Sequence, residues 1–156
     1  MIRIDVPGDR VYQLAHLVLD FNGTLACDGR LLPGVEERLS KLAERLSVHV
    51  LTADTFGNAQ TALVAVPCDL VVLPPGDQAE AKQAIVQELG PAVVVALGNG
   101  RNDQLMLVTA ALGIAVVQDE GAAAATLMAA DVVAPSITAA LDLLLRPLRL
   151  VATLRV

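Results

Sequence analysis

The sequence predicts an α/β fold in which helices cover a mainly parallel β-sheet, giving three layers. Short runs rich in Val, Ile and Leu alternate with longer segments of helical period, a pattern typical of buried parallel strands joined by helices. The connections between these segments are short. A chain of 156 residues has the usual size of one domain, so we expect a single domain over residues 1–156.

Six apolar runs are expected to form the strands of this sheet. They lie at residues 16–21, 48–52, 70–73, 92–97, 113–117 and 131–134. Two further runs, residues 2–6 and 11–14, flank Pro7-Gly8-Asp9, a sequence typical of a turn. We therefore expect an N-terminal β-hairpin added at the edge of the sheet.

Six segments have the features of covering helices. They lie at residues 34–47, 55–64, 77–89, 102–111, 121–130 and 136–145. The third begins at Asp77, and Glu80 three residues later completes a capping-box pattern. Pro147 is expected to end the last helix. The apolar tail after it, residues 148–156, is expected either to pair with another chain or to pack on its own sheet.

The composition argues against several classes of protein. The mean hydropathy is +0.59, yet no apolar stretch approaches the roughly 20 residues that span a bilayer, and the first residues lack the order of a secretory signal. A net charge of −6 and three aromatic residues argue against a nucleic-acid surface. We expect a cytoplasmic protein with Cys27 and Cys68 as reduced thiols. The oligomeric state is open, with a homodimer as one option.

Polar residues and glycines follow three of the predicted strands. They are Asp20-Phe21-Asn22-Gly23-Thr24-Leu25 after the first strand of the sheet, Thr52-Ala53-Asp54 after the second and Gly98-Asn99-Gly100-Arg101-Asn102-Asp103 after the fourth. In open parallel sheets, ligands bind outside the carboxyl ends of the strands. We therefore expect the functional site at this edge of the sheet.

Asp20 is the predicted nucleophile. A buried strand holds its carboxylate rigidly, and Gly23 lets the chain turn so that amides face an anion. A carboxylate attacks phosphorus to give an aspartyl-phosphate. A hard cation such as Mg²⁺, shared by Asp20 and Asp103, removes the repulsion between carboxylate and phosphate. Thr52 and Lys82 are candidates to bind the phosphate oxygens.

Four motifs in chain order carry a resemblance to a known family. Asp-x-x-Gly-Thr-Leu, a threonine after the second strand, a later lysine and Gly-x-Gly-x-Asn-Asp resemble the motifs of the haloacid dehalogenase superfamily. The last motif is similar in particular to that of the P-type ATPase phosphorylation domain, as found in soluble relatives. The resemblance covers about residues 17–133 and implies a Rossmann-like sheet, Mg²⁺ and hydrolysis of phosphate esters through an aspartyl-phosphate. The short spacing between motifs implies a capless fold with an open site.

The resemblance also assigns roles to individual residues. The implied catalytic residues are Asp20, Asn22, Thr52 and Lys82, and the implied substrate-binding residues are Gly23, Thr24, Ala53 and Gly100. The implied Mg²⁺ ligands are Asp20, the backbone carbonyl of Asn22, Asn99 and Asp103, with Asn102 as an alternative neutral ligand. The expected partner is a small phosphorylated substrate or a phosphoprotein, and neither a nucleic acid nor a membrane.

Two positions depart from the family's pattern. Asn22 stands where these phosphatases have an aspartate that protonates the leaving group, and an amide cannot transfer that proton. Because general acid–base catalysis contributes about 10²–10⁴-fold, we expect slow turnover or a long-lived phosphoenzyme. Asn99 stands where an aspartate commonly helps to hold the cation. A catalytically attenuated regulatory protein that binds phosphate or metal, or a phospho-Asp switch, is therefore an alternative function.

Other polar residues have simpler interpretations. Lys82 could instead be a solvated helix lysine, and Asp54 could cap the next helix or lie at the rim of the site. Asp119, Glu120 and Asp131 are interpreted as ordinary loop acids. None of these three enters the predicted site.

Overall fold

Strands and helices alternate along the chain in the computed structural model, which describes residues 1–53 and 57–156. Within these ranges the strands are β1 (Ile2–Asp5), β2 (Val11–Leu14), β3 (His16–Asp20), β4 (Ala26–Cys27), β5 (Arg30–Leu31), β6 (Ser47–Thr52), β7 (Asp69–Val72), β8 (Val94–Gly98), β9 (Leu112–Val116) and β10 (Val132–Ala134). The helices are α1 (Val35–Ala43), α2 (Asn58–Ala62), α3 (Gln78–Leu89), α4 (Gln104–Thr109), α5 (Ala124–Ala129), α6 (Ile137–Leu145) and α7 (Pro147–Leu154).

The central sheet has six strands in the order β10-β9-β8-β3-β6-β7. Every neighbouring pair is parallel. Its strands are short and apolar, and β3, β8 and β9 are almost wholly buried, as expected of a sheet covered on both faces. The predicted α/β class and the predicted parallel sheet are confirmed.

Helices cover both faces of the sheet, giving the three predicted layers. Leu17 and Leu19 of β3 belong to one core cluster, together with the buried residues of α1 and α6. Val18, which points to the opposite face, belongs to the second cluster with residues of α3 and α4. Because successive side chains of a strand point to opposite faces of the sheet, β3 contributes residues to both hydrophobic cores.

The chain reverses direction across the sheet at β3. From β3 it moves to β6 and β7 on one side, and it then returns to β8 on the other side. The register pairs Asp20 with Leu51 and Leu19 with Leu97, so β3, β6 and β8 end at the same edge. Such a switch point leaves a crevice between loops that diverge to either side, the usual ligand position in this class.

The predicted N-terminal hairpin forms, but its predicted place was wrong. β1 and β2 pair antiparallel as a separate two-stranded sheet and do not extend the edge of the central sheet. Only Ala15 separates β2 from β3, and β3 is already flanked by β6 and β8. The hairpin therefore cannot reach an edge position, and it buries Ile4 and Leu14 in the main core instead.

The C-terminal tail forms a helix that packs within its own chain. Pro147 does not simply end the preceding helix: it occupies the first turn of α7, where its missing N–H costs no hydrogen bond. Leu150 of α7 is fully buried in the main core. Of the two expectations for this tail, packing within the chain is the one that the structure shows, and it occurs through a helix.

The remaining differences concern short segments. Residues 91–93 form a 3-10 turn, so β8 begins later than predicted. The pair β4 and β5 was not predicted; Asp28 and Gly29 form its tight turn with positive φ angles. Part of the predicted helix at 55–64, and Asp54, lie outside the described residues.

The connections hold no cap domain within the described residues. Between β3 and α1 the chain forms only the two-residue pair β4 and β5, and between β7 and α3 only residues 73–77 intervene. No helix in residues 1–53 or 57–156 combines the length and the apolar character that crossing a bilayer requires.

Candidate active site

A buried lysine between two carboxylates forms the centre of the site. Lys82 Nζ lies 2.6 Å from Asp20 Oδ1 and 2.6 Å from Asp103 Oδ1. Lys82 is 1% exposed and Asp103 is fully buried, whereas Asp20 at the end of β3 retains 8% exposure. The three residues come from β3, α3 and the loop after β8, so tertiary packing alone brings them together.

The start of α3 determines where Lys82 lies. The side chain of Asp77 accepts hydrogen bonds from the backbone N–H groups of Ala79 and Glu80, which fixes the first turn of the helix. Lys82 lies in the following turn, on the face that packs against the sheet. The alternative that Lys82 is a solvated helix lysine was therefore wrong.

Asp103 holds the lysine in place through a full set of hydrogen bonds. Its Oδ2 accepts from the backbone N–H groups of Asn99 and Gly100, each at 2.9 Å, and its Oδ1 accepts from Lys82. Because both oxygens are engaged and the residue has no exposed surface, this arrangement favours a role in positioning Lys82 over the predicted role of direct Mg²⁺ ligand.

Gly98 leaves the space that the Asp103 carboxylate occupies. A Cβ on Gly98 would lie 2.5 Å from both Cγ and Oδ2 of Asp103. We expect Gly98→Ala to destabilise the fold by about 1–3 kcal/mol, because a buried carboxylate that is hydrogen bonded on both oxygens cannot move aside freely. Urea denaturation monitored by circular dichroism measures this change. An unchanged unfolding midpoint would show that the loop after β8 adapts without cost.

Thr24 and Gly23 shape the loop that follows Asp20, residues 21–25. Thr24 is fully buried, and its Oγ1 lies 3.2 Å from Asn99 Oδ1 and 3.5 Å from Asp20 Oδ2. Gly23 has a φ of +78° and donates its N–H to Ala26 O at 2.8 Å. These contacts favour positioning roles for both residues over the predicted direct contact with substrate, and the amide of Gly100 is likewise already bonded to Asp103.

Gln118 supports this loop, although the sequence offered no signal for it. Its Nε2 donates to the carbonyl oxygens of Gly23 at 3.0 Å and Thr24 at 2.7 Å, while its Oε1 accepts from the N–H of Ile137 at 2.9 Å. The amide side chain of Gln118 therefore joins the loop after Asp20 to the start of α6. A glutamine after a strand has no distinctive local pattern, which explains why it was missed.

Two predicted residues, Asn22 and Ala53, line one open depression at the end of the sheet. This cavity has a volume of about 350 Å³, and its other walls come from Asp28, Gly29 and Asn58. Both Asn22 and Ala53 are exposed. Asn22 follows β3 and Ala53 follows β6, so the cavity opens at the edge of the sheet where both strands end.

The charges in the site influence one another strongly. Burial and then the negative charge of Asp103 raise the pKa of Asp20 to about 7, against the opposing effects of Lys82 and the N–H of Phe21. Burial lowers the pKa of Lys82, but the attraction of the two carboxylates is larger and leaves it above its ordinary value. Lys82 is therefore a permanent positive charge beside a carboxylate that titrates near neutral pH.

We expect Lys82→Met to destabilise the protein by about 3–5 kcal/mol, because it leaves two buried carboxylates without a counter-charge. This loss of stability should be smaller at pH 5 than at pH 8. Below a pKa of about 7, Asp20 takes up a proton, so one of the two buried negative charges is removed. Lys41→Met is the matched control. Lys41 is exposed and, among the described residues, forms its ion pair with Glu37, so its removal should leave the urea midpoint close to that of wild type. Equal urea midpoints for the two variants would contradict this prediction.

The donor set beside Asp20 fits a hard divalent cation. The Asp20 carboxylate and the side-chain oxygen of Asn99 face the same hydroxyl of Thr24. Asn99 Nδ2 donates to Gly121 O at 3.1 Å, and its Oδ1 accepts from the Thr24 hydroxyl at 3.2 Å, which leaves one lone pair of this oxygen for a cation. All of these atoms are oxygens, the donors that Mg²⁺ prefers, and sulfur and imidazole do not contribute.

A sequence comparison with other proteins identifies the family of this chain. The uncharacterized protein MJ0073 of Methanocaldococcus jannaschii is 45% identical over 84 residues, a match that covers 51% of this chain and 90% of that protein. The chain belongs to the MJ0073 family. A second uncharacterized protein of that organism, MJ0072, is 51% identical over 39 residues, covering 25% of this chain and 89% of its own. No established family profile matches the sequence.

Solved structures then identify the fold of this MJ0073-family chain. The 3-deoxy-D-manno-octulosonate 8-phosphate phosphatase of Moraxella catarrhalis, solved with magnesium, phosphate and its sugar acid, superposes with a TM-score of 0.72 at 13% identity, covering 91% of this chain and 94% of that one. The cobalt-bound deoxy-D-mannose-octulosonate 8-phosphate phosphatase of Haemophilus influenzae gives 0.70 at 12%, covering 86% and 88%. An apo phosphoserine phosphatase gives 0.63 at 15%, covering 78% and 93%. The fold is that of the haloacid dehalogenase superfamily.

Within this MJ0073-family fold, the predicted residues separate into two groups. The first group is connected by hydrogen bonds and ion pairs and consists of Asp20, Lys82, Asp103, Asn99 and Thr24. Asn22 and Ala53 line the depression beside them, and Thr52 ends the neighbouring strand, buried to 2% exposure. Asn102 is exposed, and it has no described contact with this cluster.

Proposed function

We propose that this protein is a Mg²⁺-dependent phosphatase that acts through an aspartyl-phosphate on Asp20. The observation that carries the proposal is the placement of the Asp20 carboxylate at the edge of the sheet, 2.6 Å from the buried ammonium group of Lys82. A carboxylate held by a rigid strand, beside a permanent positive charge and an open cavity, is suited to attack a phosphate group.

The proposed reaction proceeds in two steps. Asp20 Oδ1 accepts from Lys82 at 2.6 Å, whereas Oδ2 has a longer contact of 3.5 Å with the Thr24 hydroxyl, so Oδ2 is the oxygen that attacks phosphorus in this proposal. A new bond forms between Oδ2 and phosphorus while the bond from phosphorus to the leaving oxygen breaks, and that oxygen takes a proton from solvent. Water then attacks the phosphorus of the aspartyl-phosphate, the bond from phosphorus to Oδ2 breaks, and a proton of the water passes to solvent, which releases phosphate and restores Asp20. Lys82 and Thr52 would stabilise the phosphoryl oxygens throughout.

Asp20, Asn99 and the backbone carbonyl of Asn22 would hold the Mg²⁺. When bound, the ion supplies the positive charge that offsets the repulsion between Asp20 and the phosphate. Structures with similar folds support a divalent metal, since one contains magnesium with phosphate and another contains cobalt. Asp103 would act by fixing Lys82.

The substrate is proposed to be a small phosphate ester or a phosphoprotein. The cavity of about 350 Å³ beside Asn22 and Ala53 is open, and the described connections contain no cap domain to enclose it. A small ester therefore enters freely, and a phosphoprotein could cover the site with its own surface.

A second candidate, a phospho-Asp switch, is favoured by one specific observation. Asn22 lies exposed in the cavity beside Asp20, and an amide can neither protonate a leaving group nor activate a water molecule. If the second step is slow enough, the phosphorylated protein accumulates and is itself the functional state.

Hydrolysis of p-nitrophenyl phosphate, measured with Mg²⁺ and with EDTA, tests the proposed phosphatase. We expect many turnovers per protein molecule with Mg²⁺ and none with EDTA. In parallel, intact-mass spectrometry after treatment with acetyl phosphate follows phosphorylation of Asp20. A single slow turnover with a persistent phosphoprotein would favour the switch. Neither turnover nor phosphorylation would overturn both and favour a regulatory protein that only binds phosphate or metal.

A further inference from the structure

Glu120, interpreted from the sequence as an ordinary loop acid, lies at the mouth of the active site. The position that a Cβ on Gly23 would occupy is 2.3 Å from Glu120 Oε2, 2.7 Å from Asn99 Nδ2 and 2.9 Å from Asn99 Oδ1. The two side-chain oxygens therefore lie at most about 5.2 Å apart, the sum of their two distances from this position. Glu120, four positions beyond the end of β9, thus brings a carboxylate to the loop after Asp20 and to the amide of Asn99, which replaces an expected metal ligand.

The predicted metal-binding residues offer an ion no second available carboxylate besides that of Asp20. Asn99 is neutral, and the oxygens of Asp103 already accept hydrogen bonds from Lys82 and two amides. Asp20 is then the sole charged ligand among the predicted metal-binding residues. Mg²⁺ binds reluctantly to a site that does not offer it enough negative charge, because it must give up tightly held water.

The charge of Glu120 is not neutralised by the protein. Among the residues that the structure describes, no lysine or arginine forms an ion pair with it. A carboxylate oxygen of Asp28 and the sulfur of Cys27 lie within 4.8 Å of its carboxylate, so a second acid adds to the local negative charge. An exposed, uncompensated carboxylate beside a phosphate-binding site would repel the substrate unless a cation lay between them.

We propose that Glu120 is a ligand of the active-site Mg²⁺, bound directly or through one water molecule, and supplies the charge that Asn99 lacks. This inference rests on the Mg²⁺ dependence of the proposed function. Oxygen ligands of one Mg²⁺ lie at most about 4.2 Å apart, twice the metal–oxygen distance. The upper limit of about 5.2 Å exceeds this range by about 1 Å, and Glu120 is exposed, so the proposal requires only a small rotation of its side chain or one bridging water molecule.

Binding of Mn²⁺ as a spectroscopic substitute for Mg²⁺ tests the role of Glu120 without any turnover. Electron paramagnetic resonance measures free Mn²⁺ during a titration of the wild-type protein, and competition with Mg²⁺ gives the affinity for Mg²⁺. We expect Glu120→Gln to weaken Mn²⁺ binding at least about tenfold, as losses of metal-site carboxylates commonly do. The neighbouring Asp119→Asn variant removes the same charge one position away and should remain within about twofold of wild type.

A rescue experiment separates a metal ligand from a general charge effect. Adding Asn99→Asp to Glu120→Gln should restore Mn²⁺ affinity to within about threefold of wild type, because the charge returns to the same ion. If Asp28→Asn weakens binding as much as Glu120→Gln and Asn99→Asp rescues neither, the ion binds at Cys27, Asp28 and Glu120, and the proposal is overturned.

Two further outcomes are informative. Wild-type affinity in Glu120→Gln, with or without loss of hydrolysis, would overturn the metal role and leave the proposed phosphatase standing. If the wild-type protein binds neither Mn²⁺ nor Mg²⁺ and does not hydrolyse phosphate esters, both the inference and the proposed function are wrong.

Discussion

Replacing Asp20 with asparagine is expected to lower the Mg²⁺-dependent hydrolysis of p-nitrophenyl phosphate by at least about 10³-fold, because the amide cannot form the bond to phosphorus. The substitution preserves the shape of a side chain that Lys82 Nζ contacts at 2.6 Å. The same variant should take up no phosphate from acetyl phosphate. Steady-state kinetics and intact-mass spectrometry measure the two effects.

Asp119→Asn is the matched control for this experiment. It makes the same chemical change in an exposed loop, and its rate should stay within about twofold of wild type. Both variants should have a circular dichroism spectrum like that of wild type. If Asp20→Asn retained most of the Mg²⁺-dependent rate, the nucleophile would lie elsewhere and the proposed mechanism would be rejected.

Restoring an acid at position 22 is expected to have the opposite effect. We expect Asn22→Asp to raise the rate of hydrolysis by about 10²–10⁴-fold, the usual contribution of general acid–base catalysis. Asn22 is exposed in the cavity beside Asp20, and aspartate has the same shape, so the new carboxyl group enters the site without a steric cost. Single-turnover kinetics should show faster formation and faster loss of the phosphoprotein.

Asn58→Asp is the control for added charge alone. Asn58 lines the same cavity, but it does not follow the nucleophile by two residues, so its replacement should not accelerate hydrolysis. An equal gain from both variants would attribute the effect to electrostatics. No gain from Asn22→Asp, in a folded protein that still binds Mg²⁺, would favour the regulatory alternatives over the enzyme.

The fold and its edge residues could be predicted because their signals are local. The alternation of short apolar runs with helical segments predicted the six strands of the sheet in order. Their polar ends placed Asp20, Thr52 and Asp103 at one edge, since parallel strands end together. The position of the N-terminal hairpin was mispredicted, because local sequence does not show that both sides of β3 are occupied.

Individual roles within the site were less accessible to sequence analysis. A lysine in a helix gives no local signal that separates a buried role from a solvated one, and the ion pairs of Lys82 with Asp20 and Asp103 join residues 62 and 21 positions apart. Gln118 and Glu120 belong to a loop with no distinctive motif. Both residues lie close to Gly23, in the loop after Asp20, although almost a hundred positions of sequence separate them from it.

By itself, the sequence determined the α/β architecture and which residues follow the strands at the reactive edge, because hydrophobic period and residue order are properties of the chain. Only the tertiary structure decided which of these groups face one another. It pairs Asp103 with Lys82, turns Thr24 inward and brings Glu120 over Gly23. Such pairings depend on the packing of side chains that are distant in sequence, and hydrogen-bond distances of about 3 Å are set by that packing.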